Sequence, residues 1–168
     1  MSLSIRPETA ADIPAIEQLT AAAFLNAPHS SHTEQFIVNA LRRAGQLSVS
    51  LVAEQDGELL GHVALSPVHI SDGTTGWYGL GPISVLPAHQ GAGIGSQLMQ
   101  AALAVLQAQG AAGCVLLGDP GYYQRFGFAV QPGLVLPGVP AEYFQALRFV
   151  QPWPVGEVSY HSAFEATQ

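Results

Sequence analysis

Lysine is absent from the 168-residue sequence, and the five basic residues are all arginines. Without lysine the chain cannot use a Walker-type phosphate lysine or a lysine that forms a Schiff base. The formal net charge is -7, and five scattered arginines form no cationic stripe. Because nucleic-acid binding depends on clustered positive charge, we expect no nucleic-acid partner.

Charged residues make up only 10% of the chain, and Cys114 is its single cysteine. A lone cysteine forms no intramolecular disulfide and suits a reducing compartment. No apolar run approaches the roughly 18 residues of a membrane-spanning helix, and Met1 to Arg6 does not resemble a signal peptide. We therefore expect a soluble cytoplasmic protein without a membrane partner. Its weakly charged exterior indicates an apolar surface that something covers, and a second subunit, which would make a homodimer, is one candidate.

The chain length fits a single domain, and hydrophobic residues at 48% can fill its core. A short strand is predicted at Ser4 to Arg6, followed by a helix that a capping box at Thr9 to Asp12 opens. After a loop with Asn26 and Pro28, Ser31 and Glu34 are predicted to cap a second helix that buries Ile37 and Leu41 and ends near Gly45.

Alternation with a period of two then predicts strands from Leu47 to Ala53, from Leu59 to Ile70 and from Trp77 to Val85. The third strand contains Gly79, Gly81 and Pro82, which predict a bend or splay. Further along, the pattern predicts a helix from about Gly93, a strand at Cys114 to Leu117, a brief helix at Tyr122 to Phe126, a helical turn at Ala141 to Leu147 and a last strand near Val155 to Phe164. The fold class is mixed α/β (α+β), a mostly antiparallel sheet flanked by helices.

The segment from Gln90 to Gly95, Gln-Gly-Ala-Gly-Ile-Gly, connects a strand directly to a helix. The start of a helix exposes unpaired N-H groups and the positive end of its dipole, so this turn suits a phosphate group. The dinucleotide pattern G-x-G-x-x-G does not fit, because Ser96 stands where the third glycine belongs. A pyrophosphate here would depend mostly on neutral backbone donors.

This turn resembles the Gln/Arg-x-x-Gly-x-Gly pyrophosphate loop of the GCN5-related N-acetyltransferase (GNAT) superfamily. Residues 80–95 look like that superfamily's fourth strand, loop and third helix, and Tyr123 to Phe128 resembles its Tyr-x-x-x-Gly-Phe signature. Together with Gly118 to Tyr123, these motifs are similar to a branch of small bacterial predicted N-acetyltransferases. The resemblance covers about residues 3–130 of a single N-acetyltransferase domain, 1–168, and leaves 131–168 as a Pro-rich extension.

The resemblance implies an enzyme that uses acetyl-CoA as co-substrate and acetylates a primary amine of a small molecule or peptide by direct attack in a ternary complex. It implies a cofactor site made of Ile83, Ser84, Val85, Gln90, Gly91, Ala92, Gly93, Ile94, Gly95 and Ser96. Tyr123 is the predicted general acid for the departing thiolate, and Tyr122 is the second choice. No metal is expected.

The general base is less defined, because many relatives place a glutamate on the bent strand whereas residues 76–85 contain no carboxylate. His62 is a weak candidate beside Glu34, His32 and Asp119, and a water relay is a further one. The missing carboxylate keeps an alternative open, a CoA-binding regulatory or partner module without turnover. His29 and His32 lack a companion ligand at a recognised metal spacing.

Overall fold

The computed structural model of the protein describes residues 2–27 and 30–168. Six of its strands form a main sheet in the order β1-β2-β3-β5-β6-β8, and all neighbours are antiparallel except β5 and β6. These strands are β1 (Ser4–Pro7), β2 (Val49–Gln55), β3 (Glu58–Pro67), β5 (Trp77–Val85), β6 (Gly113–Leu117) and β8 (Phe144–Arg148). The mostly antiparallel mixed α/β fold predicted from the sequence is confirmed.

Helices cover both faces of this sheet. One face carries α1 (Ile13–Phe24) and α2 (Glu34–Arg43), and the other carries α3 (Ile94–Ala108). The alternation along β2 explains this division, because Leu51 packs in the core under α3 whereas Val52 packs against Ile16 and Val38. The described residues include no helix long and apolar enough to cross a membrane.

Local signals place the first elements as predicted. Asp12 accepts a hydrogen bond from the Thr9 N-H at 2.7 Å and so opens α1. The hairpin between β2 and β3 turns at Asp56 and Gly57, whose φ angles of 54° and 80° are the positive values that such a turn requires. These two residues therefore determine where β2 ends and β3 begins.

The start of α2 differs from the prediction. Its N-cap is Thr33, and Ser31 donates to or accepts from the Thr33 hydroxyl rather than capping the helix itself. The Ser30 hydroxyl lies 2.8 Å from both carboxylate oxygens of Glu34. Met1 and the predicted loop residues Pro28 and His29 lie outside the described residues.

The predicted long strand from Leu59 to Ile70 is wrong at its end. It divides into β3 and a short strand β4 (His69–Ile70), which joins a second sheet with β7 (Leu134–Val135) and β9 (Gly156–Ser159) in the order β4-β9-β7. The helical turn predicted at Ala141 to Leu147 is also largely wrong. Only Ala141–Tyr143 form a single 3-10 turn, and the residues after them form β8 at the edge of the main sheet.

The strands β5 and β6 pair only at the start of β5 and then separate. The parallel pairing of β5 with β6 covers only Trp77 to Gly79 against Gly113 to Val115. Beyond Gly79 the register of β5 with its other neighbour, β3, also shifts. The bend predicted at the glycines and Pro82 therefore appears as an opening between β5 and β6. A short helix, α4 (Pro120–Tyr123), follows β6.

Candidate active site

The glycine turn before α3 presents backbone N-H groups to the surface. Gly91 and Gly93 have φ angles of 84° and 86°, and a Cβ at either position would meet no atom of residues 2–27 and 30–168 within 4 Å. Glycine is needed here for its backbone angle rather than for space. The first hydrogen bond of the helix runs from the Gln97 N-H to the Gly93 carbonyl, and no side chain in the described part of the chain caps the start of the helix. The N-H groups of residues 94–96 therefore point outward without helical partners.

A cleft of about 590 Å³ lies directly on these N-H groups. Its lining takes in the predicted cofactor-loop residues Gln90, Gly91, Gly93, Ile94, Gly95 and Ser96, together with Val85, His89, Tyr122 and Arg125. Arg125 lies with its guanidinium carbon 4.4 Å from the centre of the Tyr122 ring. The prediction that a pyrophosphate would depend mostly on neutral backbone donors therefore needs one addition, since the cation of Arg125 borders the cleft.

One edge of β5 is unpaired beside this cleft. The Leu86 N-H donates to the Leu60 carbonyl at 2.9 Å, and antiparallel strands direct the backbone groups of alternate residues to opposite edges. Ile83 and Val85 therefore direct their N-H and C=O groups away from β3, into the opening beside β6. The side-chain amide of Gln90 donates to the Val85 carbonyl at 3.0 Å and holds the loop against the strand.

Ser84 differs from its two neighbours. It is the register partner of His62 on β3, so its backbone groups belong to that pairing, and its side chain points to the α1 and α2 face. The side chain is buried, with 2% of the residue exposed. The structure thus separates Ser84 from the predicted cofactor residues and places it on the far side of the strand.

The two tyrosines after β6 occupy different environments. The Tyr122 hydroxyl lies 3.4 Å from the Ser96 Oγ, at the start of α3. Tyr123 packs on Gly118, where a Cβ would overlap its ring, and meets the Tyr122 ring edge to face. Burial, the neighbouring Tyr122 and Asp119 together raise the pKa of Tyr123, so its hydroxyl keeps its proton at neutral pH.

A second, mostly apolar cleft of about 420 Å³ lies at the bend of β5. The bend itself supplies Leu80, Gly81 and Pro82, and most of the other walls are apolar: Phe24, Ile37, Leu117, Leu136, Pro137, Val139 and Phe164. Its two side chains with oxygen atoms are Glu34 and Tyr160. This acceptor cleft, as we call it, reaches the same strand as the opening between β5 and β6.

Tyr160 reaches the cleft because Gly79 leaves space for it. A Cβ at Gly79 would lie 2.8 Å from the Tyr160 ring, so the glycine is needed for this close approach. Among the described residues the Tyr160 hydroxyl has no hydrogen-bond partner although it is buried. Burial raises the pKa of Tyr160, so the group acts as a hydroxyl donor. The sequence contains no local signal for this contact between residues 81 positions apart.

The remaining candidates for a base have structural partners. Asp119 accepts from the Gly121 N-H at 2.9 Å as the N-cap of α4. His32 is exposed and its Nδ1 lies 3.0 Å from the Phe24 carbonyl.

Burial raises the pKa of Cys114, so this thiol stays protonated. Within residues 2–27 and 30–168, no three histidine, cysteine, aspartate or glutamate side chains come together as a metal site, and His29 lies outside that part.

His62 is fully buried on β3. Its Nε2 lies 2.7 Å from the Ser50 Oγ, and the Ser50 hydroxyl in turn donates to the Glu8 carboxylate. Glu8 also pairs with Arg42 at 2.7 Å. Burial lowers the pKa of His62 to about 4, so its imidazole is neutral at pH 7.

Outward amides at a helix start, beside a strand with one free edge, suit a diphosphate group that carries an extended amide-containing arm. Residues 13–128 match the acetyltransferase (GNAT) family, and the chain belongs to this family of acetyltransferases. The uncharacterized N-acetyltransferase YhbS of Escherichia coli K12 is 38% identical over 125 residues, which are 74% of this chain and 72% of that protein.

Two solved structures are similar over nearly the whole chain. A GNAT family acetyltransferase from Brucella melitensis, in complex with acetyl-CoA, is 51% identical with a TM-score of 0.88, covering 97% of this chain and 98% of the other. Escherichia coli YhbS, in complex with CoA, is 34% identical with a TM-score of 0.89, covering 99% of this chain and 93% of the other. The likeness therefore includes residues 131–168, which the sequence motifs do not reach.

Proposed function

We propose that the protein transfers the acetyl group of acetyl-CoA to a primary amine of a small molecule or peptide by direct attack in a ternary complex. The observation that carries this proposal is that two clefts border β5, one at Val85 and the other at Leu80 to Pro82. One presents the free amides of α3, and the other is an apolar space that ends at the bend of the same strand. A thioester lying along β5 would thus face an acceptor without crossing the sheet.

The cofactor fits the first cleft chemically. The N-H groups at the start of α3 would bind the diphosphate, with the helix dipole and Arg125 adding positive potential. The backbone groups of Ile83 and the N-H of Val85, which point away from β3, would pair with the amides of the pantetheine arm. The acetyl-CoA and CoA complexes of the two similar structures support this assignment.

The acceptor cleft favours an amine on an apolar carrier. Its walls would bury an alkyl or aryl group, while the Glu34 carboxylate offers an ammonium group a partner. Ser30 holds both oxygens of that carboxylate and so fixes its direction. An unpaired N-H of β5 near Ile83 would polarise the thioester carbonyl as negative charge develops on its oxygen.

The departing thiolate needs a proton, and Tyr123 remains our choice as donor. Its raised pKa keeps the hydroxyl protonated, and α4, which ends at Tyr123, follows β6 after only two residues. Tyr122 is the alternative, because its hydroxyl contacts Ser96 at the edge of the first cleft, the one at the start of α3. We call this first cleft the cofactor cleft. The two single Phe variants separate these assignments, since only the true donor lowers kcat strongly.

The absence of a carboxylate from residues 76–85 supports a second candidate function, a CoA-binding module without turnover. One experiment separates the two functions. Thermal unfolding with acetyl-CoA, CoA, ATP and NAD identifies the ligand, because a ligand of the folded state raises its stability. Thiol release is then followed with phenethylamine, benzylamine, putrescine and a lysine peptide.

Stabilisation by acetyl-CoA together with amine-dependent thiol release supports the enzyme. Stabilisation without release across the amines would favour the module, and stabilisation by ATP or NAD alone would refute both. Glu34→Gln should raise the KM of an amine without changing the affinity for acetyl-CoA, because it removes only the charge. We also retain the proposal of a homodimer, which sedimentation equilibrium tests.

A further inference from the structure

The turn that is proposed to bind the diphosphate contains no cation. Residues 90–96 are Gln, Gly, Ala, Gly, Ile, Gly and Ser, and the side-chain amide of Gln90 is already bonded to the Val85 carbonyl. The N-H groups and the dipole at the start of α3 amount to about half a positive charge. The diphosphate of CoA carries a negative charge on each phosphate, so the turn alone leaves most of that charge uncompensated.

Arg125 brings a full positive charge to the same cleft. Among the described residues that line the cofactor cleft, Arg125 alone has a permanent positive charge, and none is a carboxylate. Within residues 2–27 and 30–168 its guanidinium has no Asp or Glu partner, whereas Arg6 pairs with Asp12 and Arg42 pairs with Glu8. A chain with a net charge of -7 therefore keeps a guanidinium free of carboxylates at this cleft.

Tyr122 fixes the position of this guanidinium. Arg125 lies in the single 3-10 turn Gln124–Phe126, which follows α4. Its Nε donates to the Tyr122 carbonyl at 3.0 Å, and its Cζ lies 4.4 Å from the centre of the Tyr122 ring, a stacking that suits the planar guanidinium. The hydroxyl of the same ring lies 3.4 Å from the Ser96 Oγ. Tyr122 therefore connects Arg125 with the start of α3.

The two outer nitrogens of the guanidinium remain available for a ligand. The Tyr122 carbonyl uses Nε, and Nη1 and Nη2 have no acceptor in the described part of the chain. A guanidinium presents its N-H donors in a planar fork that matches two oxygens of a phosphate. Because Arg125 is exposed, water and salt screen its charge, so this contact adds to the binding by α3 and does not replace it.

We propose that Arg125 binds the diphosphate of the cofactor together with the N-H groups of α3, and that it thereby selects thioesters that carry a diphosphate. This inference rests on the proposed function, since it assigns a role within the cofactor cleft. Arg125 occupies an unspecified position of the Tyr-x-x-x-Gly-Phe signature, so the motif itself does not require a cation there. Arg125 is a specificity-determining residue.

The test compares Arg125→Gln with Arg148→Gln. Arg148 is the matched control, because its Cζ also lies over an aromatic ring, 5.0 Å from the centre of Trp153, but it does not line the cofactor cleft. Titration calorimetry gives the Kd of CoA and of 3'-dephospho-CoA. Displacement of CoA gives the Kd of pantetheine, which has no phosphate. The melting temperature shows whether each variant is folded.

We expect Arg125→Gln to weaken the binding of CoA and of 3'-dephospho-CoA about tenfold each, because both carry the diphosphate and lose one charge-assisted contact. The Kd of pantetheine should stay the same, and Arg148→Gln should bind all of these ligands like the unaltered protein. Arg125→Lys should lose less affinity than Arg125→Gln, since the charge remains although the planar fork is lost.

Salt gives a readout that a purely structural role of Arg125 would not change. The affinity of the unaltered protein for CoA should fall as the NaCl concentration rises from about 50 to about 500 mM, because ions screen an exposed charge. The fall should be smaller in Arg125→Gln, which lacks this charge. In Arg148→Gln it should equal that of the unaltered protein.

Three results would overturn the assignment. The first is an unchanged Kd of CoA in Arg125→Gln, and the second is an equal loss of affinity for pantetheine. The third is a loss for CoA that disappears with 3'-dephospho-CoA, which would place the contact at the 3'-phosphate. Amine-dependent thiol release by the unaltered protein tests acetyl transfer itself, so a failure of the proposed function is distinct from a failure of this assignment.

Discussion

Replacing Gly93 by glutamate places a negative charge directly at the turn that is proposed to bind the diphosphate, Gln90 to Gly95. Gly93 lines the cleft at the start of α3, and a Cβ there would meet no atom of the described residues within 4 Å, so a glutamate side chain has room to extend into this cleft. Two like charges about 5 Å apart repel by about 3 kcal/mol at an effective dielectric constant of about 20. Since about 1.4 kcal/mol changes Kd tenfold, Gly93→Glu should weaken acetyl-CoA binding at least a hundredfold.

Gly110→Glu is the matched control for this variant. Gly110 follows the other end of α3, is exposed, and has a φ of 80° with no atom within 4 Å of a Cβ. Both variants therefore add the same charge at a similar left-handed backbone position, and each should cost about 1 kcal/mol of folding stability. Only Gly93→Glu should lose the ligand.

Titration calorimetry with acetyl-CoA measures the effect, and thermal unfolding confirms it. At a ligand concentration of about 100 times Kd, the unaltered protein gains about 2.7 kcal/mol, which corresponds to roughly 5–10 °C for a chain of this size. Gly93→Glu should gain roughly 1 °C under the same conditions. Wild-type affinity for acetyl-CoA in Gly93→Glu, or an equal loss of affinity in Gly110→Glu, would refute diphosphate binding by the backbone N-H groups of this turn.

Three further outcomes follow from the other sites. Tyr123→Phe should retain acetyl-CoA affinity but lower kcat at least tenfold, because the thiolate loses its donor; unaltered kinetics would remove this assignment. Tyr160→Phe should leave the melting temperature within about 2 °C, since its buried hydroxyl has no partner among the described residues, while raising the amine KM; a large loss of stability would show that the hydroxyl is a structural group. Between pH 6.5 and the lowered pKa of His62, about 4, the unfolded chain binds a proton that the folded chain does not, so the free energy of unfolding should fall by about 3 kcal/mol as the pH drops. Urea unfolding of His62→Gln should lack this component, and an identical pH dependence in both proteins would contradict it.

Patterns that depend on neighbouring residues predicted the elements around the cofactor cleft. The hairpin turn at Asp56 and Gly57 and the glycine turn before α3 require positive φ angles, which short sequence motifs record. The bend of β5 was also predictable, because Gly81 and Pro82 interrupt its alternation. These features explain why the fold and the amides at Gly93 to Ser96 could be predicted from the residues.

Features set by distant contacts could not be predicted. Phe144 to Arg148 contains helix-favouring residues, but pairing with β6 makes it a strand, so tertiary contacts override local propensity. The direction of Ser84 depends on which edge of β5 pairs with β3, and the position of Tyr160 depends on the space above Gly79. Arg125 lay inside a recognised motif, yet its place beside the cofactor cleft required the path of α4.

A crystal structure with bound acetyl-CoA shows directly which groups of the protein bind the diphosphate. We expect both phosphates of the diphosphate to lie within about 3 Å of N-H groups between Gly91 and Ser96, as hydrogen bonds require, with the pantetheine arm along Ile83 and Val85. A diphosphate held elsewhere, with these N-H groups facing only solvent, would contradict the account.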